Sequence, residues 1–160
     1  MQDIPDLLDG LRRSIKILST FVTSIPEEKL ARRRGAGFWS VAEHTVHLAQ
    51  VQPMLLGRLQ RFLSEDRPEF APYIPGDAGQ DDKPPQMVTG AALSEFEHYR
   101  LKQLALLDEF DEAAWQKTAI HPEYDFYTLH ILTRHILLHD HWHMYRMEQL
   151  WLTRDEFLKQ

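Results

Sequence analysis

Nine histidines and no cysteine define the chemistry open to this chain. Without a thiol, it has no disulfide, no thiolate-ligated metal and no cysteine nucleophile. Five of the histidines fall between His130 and His143. On a helix turning about 100° per residue, His135 and His143 sit about 40° to either side of His139. Leu132, Ile136, Arg146 and Leu150 share that stripe, so three imidazoles lie on a face that is otherwise core-directed. Buried polar groups need partners, and three imidazoles cannot readily satisfy one another. A metal resolves this, because neutral imidazole is its commonest side-chain ligand. Two histidines at i and i+4 project toward one point. Either His135/His139 or His139/His143 meets that spacing. The competing account is a polar core network without metal. His130 and His141 point to the opposite face and are read as surface residues. His98 and His121 carry no role that spacing can assign.

A site inside a helical bundle needs ligands from a facing helix. The preceding histidines, His44 and His47, lie on one helical segment. If that segment runs antiparallel to the histidine stripe, His47 comes level with His139 and His143. If parallel, it comes level with His135. His44 is central on its stripe and His47 lies about 60° to one side, so spacing alone leaves the ligand set open. Glu43, one turn before His47, is a helix-capping carboxylate first and a base or ligand-orienting group second. Arg100 interrupts an apolar stripe, either to bind an anionic substrate group or to snorkel from its edge. Arg146 has the same two readings. Asp140 is expected to face solvent rather than orient a ligand histidine. Trp39, Trp142 and Trp151 are expected in the core.

These residues need helices to position them, and four segments carry the period. Leu7, Leu8, Leu11, Ile15, Leu18, Val22 and Ile25 form one stripe, with Pro5 in its first turn and Pro26 ending it. Glu27 to Leu30 allow one further turn. Arg32, Arg33 and Arg34 follow in a loop broken by Gly35 and Gly37, read as solvated rather than as an anion site. Ser40 and Glu43 have the capping-box spacing and open a second helix reaching about Phe62. Pro53 removes a bond to the carbonyl of Ala49 and kinks it. Residues 65–88 hold five prolines and exclude a regular element, which suits a crossover between parallel helices. A third helix covers about 90–110, and Asp111 to Trp115 form a short turn. His121-Pro122 lies in a polar connection. Thr128 caps a fourth helix reaching about Leu152. No segment of length alternates with period two, so the expected class is all-α, a four-helix bundle in one domain over residues 1–160.

Composition narrows the function classes. A net charge of −6 argues against nucleic acid or an anionic membrane as partner. No apolar run reaches a membrane span, and the first residues lack a secretory signal, so a cytoplasmic location is expected.

Trp39-Ser40-Val41-Ala42-Glu43-His44-Thr45-Val46-His47-Leu48 resembles the start of the second helix in the DinB/YfiT-like superfamily, where a Trp-Ser pair stands eight residues before a metal-binding histidine. Thr128-Leu129, His135-Ile136 and His139-Asp140-His141-Trp142-His143 resemble its fourth helix. The resemblance covers nearly the whole chain. It implies a four-helix bundle of up-down-down-up topology with His47, His139 and His143 as metal ligands, and His44 and His135 beside them. Many members carry glutamine where Arg146 stands here, a departure that bears on the pocket rather than the triad. The resemblance further implies a divalent metal, zinc or nickel first and iron or manganese next, and a homodimer. It implies a metal-dependent transferase or hydrolase acting on a small molecule, in some members with a low-molecular-weight thiol as cosubstrate. The alternative is a non-catalytic bundle that binds metal or ligand without turnover.

Overall fold

A computed structural model describes residues 3–35, 37–71 and 87–157 of the chain. Its helices are α1 (Ile4–Thr23), α2 (Glu27–Leu30), α3 (Val41–Gln50), α4 (Gln52–Ser64), α5 (Thr89–Leu107), α6 (Glu112–Trp115) and α7 (Leu129–Leu152). Strands β1 (Thr118–His121) and β2 (Tyr124–Thr128) lie between α6 and α7. The four long segments form a helical bundle in which α1 packs on α5 and α7, and α3 packs on the same two helices from the other side.

Local sequence explains the helix starts. Pro5 occupies the first turn of α1, where its missing N–H costs nothing. Ser40 Oγ accepts from Glu43 N at 3.2 Å and Glu43 Oε2 accepts from Ser40 N at 2.7 Å, completing the capping box of α3. Thr128 Oγ1 caps α7 by accepting from Ile131 N. The second bundle segment is kinked, as Pro53 requires, and the break divides it at Val51 into α3 and α4. Gln52 turns its side chain back at the break, and its Nε2 donates to Leu48 O at 2.7 Å. Gly10 allows α1 to approach α7 closely, because a Cβ there would meet Leu137 Cδ2 at 2.8 Å.

The chain is mainly helical rather than all-α, because residues 118–128 form an antiparallel hairpin pairing Thr118 with Thr128 and Ala119 with Tyr127. Its strands are short and do not alternate in burial, with an irregularity between Ala119 and His121, so no period of two marks them. The section of the long connection that is described, around 65–71, lies against this hairpin: Phe70 N donates to Ile120 O and Ile120 N to Pro68 O. The rest of that connection, 72–86, lies outside the described residues.

The core has two apolar clusters. One joins Leu11 with Leu55, Leu59, Phe62, Leu104, Leu107, Leu132 and Ile136. The other joins Leu18 and Val22 with Val46, Leu48, Phe96, Met144 and Met147. At or beside the junction between them, every long segment carries a polar residue that is fully buried: Ser14, Gln52, Arg100 and Asp140. Arg100 donates to both oxygens of Asp140, at 2.6 and 3.1 Å, and also to Gln103, Ser14 and Gln52. Both sequence readings of Arg100 are therefore corrected, since it neither binds substrate nor snorkels. Asp140 is also corrected: its side chain is 0% exposed rather than solvent-facing. A carboxylate opposite a bidentate guanidinium is a geometry in which a buried charge is tolerated.

Candidate metal centre

Helices α3 and α7 run antiparallel where they meet, because His44 contacts His143 while His47, further along α3, contacts His139, earlier on α7. The Nε2 atoms of His47 and His139 are 3.3 Å apart, and those of His143 and His139 are 3.2 Å apart. One ring nitrogen from each of the three lies within 4.8 Å of the others. Nitrogens bound tetrahedrally at about 2.0–2.1 Å from zinc stand roughly 3.3 Å from one another. The three side chains therefore fit a divalent ion in spacing and in donor type.

Protonation favours the same use. Burial, and then repulsion from His139 and neighbouring histidines, pushes His143 down to about 2. Burial, followed by the Arg146 charge, pushes His44 down to about 4. Burial does the same for His47, again to about 4, and lowers His139. All four rings are neutral at pH 7, with lone pairs available. A lone pair at His143 Nε2 places that ring's proton on Nδ1, which then donates to His44 Nδ1 at 2.8 Å. His44 thus sets the tautomer and rotation of His143, the part an outer partner plays for a metal-ligating histidine. On His139 the second ring nitrogen, Nδ1, is buried without a hydrogen-bond partner among the described residues.

The triad opens on a cavity of about 570 Å³ walled by Phe38, Trp39, Trp142 and Leu150, with Arg34, Arg146 and Gln149 around them. Trp39 stacks over His143 at 5.9 Å and lies 4.9 Å from His47, while Trp142 meets His143 edge-on at 4.7 Å. These tryptophans are 38% and 56% exposed, which corrects their expected place in the core. Trp151 is partly buried against the core, as expected.

The other expected site residues distribute as follows. Glu43 is the capping carboxylate. Its remaining capacity goes to Arg33, which donates from Nε at 2.8 Å and from a second nitrogen. Burial raises its carboxyl, but the bonds from Ser40 and Arg33 outweigh that and hold it below its ordinary value. Asp140 hydrogen-bonds Arg100 and orients no ligand ring. His135 stands in a second cavity of about 250 Å³, beside Tyr124 and Tyr127, with His139 as the wall shared with the triad's cavity. His130 is not a plain surface residue, because its Nε2 lies 2.9 Å from Asp3. His141 and His98 are exposed. Of the three consecutive arginines, Arg32 pairs with Asp155 and Arg33 with Glu43, leaving Arg34 at the cavity. Sequence reasoning missed Phe38 and Gln149. The only available signal was proximity: Phe38 precedes Trp39, and Gln149 follows His143 by six residues.

Fold and site together define a helical bundle with a three-histidine cluster between two antiparallel helices. The family model of the DinB superfamily matches residues 11–154, and the chain belongs to that superfamily. Among solved structures it is similar to YfiT from Bacillus subtilis, described as a probable metal-dependent hydrolase with an unusual four-helix bundle topology. The TM-score is 0.80 and the identity 19%, over 91% of this chain and 84% of that one. No curated protein sequence matches the chain.

Proposed function

We propose that the chain is a metal-dependent enzyme, a transferase or hydrolase acting on a small molecule, with His47, His139 and His143 holding the divalent metal. The observation that carries this reading is three neutral imidazoles converging at the wall of an open cavity. A three-ligand site with room beside it is the pattern of catalytic rather than structural zinc. A bound divalent metal would supply Lewis acidity, lowering the pKa of a water or of a thiol cosubstrate. The chain's own groups do the rest. His44 fixes the His143 tautomer. Trp39 and Trp142 cover the histidines with apolar surface and thin the water around them. With no cysteine in the chain, any reacting thiol comes from a cosubstrate.

Zinc and nickel are the metals proposed first, and imidazole, which suits both, equally accepts copper and iron. The up-down-down-up topology is supported by the order in which segments traverse the two core clusters. Segments α1 and α7 pass from the Leu11 cluster to the Leu18 cluster, and α3–α4 and α5 pass the other way. A homodimer is supported by exposed apolar residues of α7, Leu138, Tyr145 and Leu152, which share one face at about 100° per residue. A cytoplasmic location rests on the sequence. Among the described residues no helix is long and apolar enough to cross a membrane.

Metal analysis of protein purified without an affinity tag tests the reading. About one ion per chain is expected, falling to background in His47→Ala. Turnover of an ester panel, or conjugation of an electrophile by a low-molecular-weight thiol, should be lost in His143→Ala. Bound metal with no turnover on either panel would leave a binding protein instead.

A further inference from the structure

The cavity beside the triad has a charge pattern unlike the rest of the molecule. The chain carries six more acidic than basic groups, yet no carboxylate lines this cavity among the described residues. Its charged members are Arg34 and Arg146 alone. Neighbouring arginines are neutralised: Arg32 bonds Asp155 at 2.6 Å and Arg33 is paired with Glu43. Arg146 uses one nitrogen on the neutral Gln149 at 2.8 Å and lies 6.0 Å from the Trp142 ring. No acidic side chain forms an ion pair with either Arg34 or Arg146 among the described residues.

Trp39 and Trp142, each in ring contact with His143, supply aromatic surface to the wall, and Phe38 and Leu150 extend it. A volume of about 570 Å³ accommodates a ring-sized body with a substituent. Guanidinium groups recognise carboxylate and phosphate through paired charge-assisted hydrogen bonds.

We propose that Arg146 and Arg34 select the substrate of this cavity: an apolar, ring-bearing molecule with a carboxylate or phosphate group, its body on Trp39 and Trp142 and its anion on the two arginines. This rests on the proposed metal-dependent use of the cavity and names the class of molecule it takes. The anion sits on the arginines and leaves the histidines to the metal, so the two roles separate experimentally.

Calorimetric titration with 2-naphthoate, 2-naphthyl phosphate and the neutral 2-naphthylmethanol tests it, on metal-loaded and on chelator-treated protein. At least one anion should bind about tenfold more tightly than the alcohol, the scale of one good charged hydrogen bond. The tighter anion identifies the headgroup. Arg146→Gln should remove most of that preference while leaving the alcohol within about twofold. Arg34→Gln, in an exposed loop where folding is not at stake, should act in the same direction and less strongly. Equal binding of all three probes, no binding by any, or an equal loss for all three in Arg146→Gln overturns the proposal. A preference that disappears on chelation and ignores Arg146→Gln also overturns it, by placing the anion on the metal, and leaves the metal reading standing. A preference that persists in protein taking up no metal sustains the arginine site and sinks the metal reading.

Discussion

Asp140 and His139 are neighbours on α7, yet their side chains enter two different polar regions. Asp140 joins Arg100, Gln103, Gln52 and Ser14, all fully buried and linked in one hydrogen-bond network through Arg100. His139 joins His47 and His143, a cluster that opens on a cavity and, among the described residues, leaves the buried Nδ1 of His139 without a hydrogen-bond partner. The first region contains charge and has its bonding capacity filled from within the protein. The second is neutral and has capacity to spare. Polarity in the core does not mark a functional site; unfilled bonding capacity at an accessible wall does.

The largest expected effect lies in the closed region. Asp140→Ala strands the Arg100 charge and should cost about 3–5 kcal/mol in denaturant unfolding, whereas replacing both, Arg100→Met with Asp140→Leu, should cost much less. A loss below about 1 kcal/mol for the single change would mean that the node is not closed. The open region should respond in the opposite way. His47→Ala should abolish stoichiometric metal uptake while leaving metal-free stability nearly unchanged, as read by metal analysis and thermal unfolding on the same sample. His44→Ala should weaken metal about 10–100-fold without changing the stoichiometry, the usual cost of losing a ligand's outer partner; an unchanged affinity would separate His44 from the centre. The pH dependence reads the same rings one proton at a time. His44 and His47 protonate near 4 in the fold and near 6.5 when unfolded. Below 6.5 the unfolded chain takes up protons that the folded chain refuses. Metal-free stability should therefore be complete above about pH 6.5 and decline toward pH 4. A flat profile across that window in denaturant titrations would contradict the burial of these rings.

Much of the open region was legible before the structure and little of the closed one. The i, i+4 histidines, the Ser40/Glu43 box, the Thr128 cap and the Pro53 kink are local patterns, and each appears where its spacing puts it. Arg100 and Asp140 are forty residues apart, and their pairing depends on how two helices meet. A single buried stripe on the fourth helix predicts Asp140 toward solvent. Helix α7 packs on both α1 and α3, which buries a wider arc that includes Thr133 and Asp140. His135 shares the stripe of the ligands but stands a turn too early, where Tyr124 and Tyr127 of the hairpin cover it. The hairpin leaves no periodic trace, since its strands of four and five residues do not alternate in burial. Whether a tryptophan lines a cavity or fills a core is likewise decided by tertiary packing.

Glu43 gives the cavity wall a mechanical property. One carboxylate holds both the first turn of α3, through Ser40, and the 31–38 loop, through Arg33. Arg34, Phe38 and Trp39 hang between these two anchor points. Movement of this wall must therefore break either the Arg33–Glu43 pair or the box that starts the helix carrying His44 and His47. The first helical turn and the cavity wall share one anchor, and the exchange rate of the Ser40 amide tells which of the two bonds gives way.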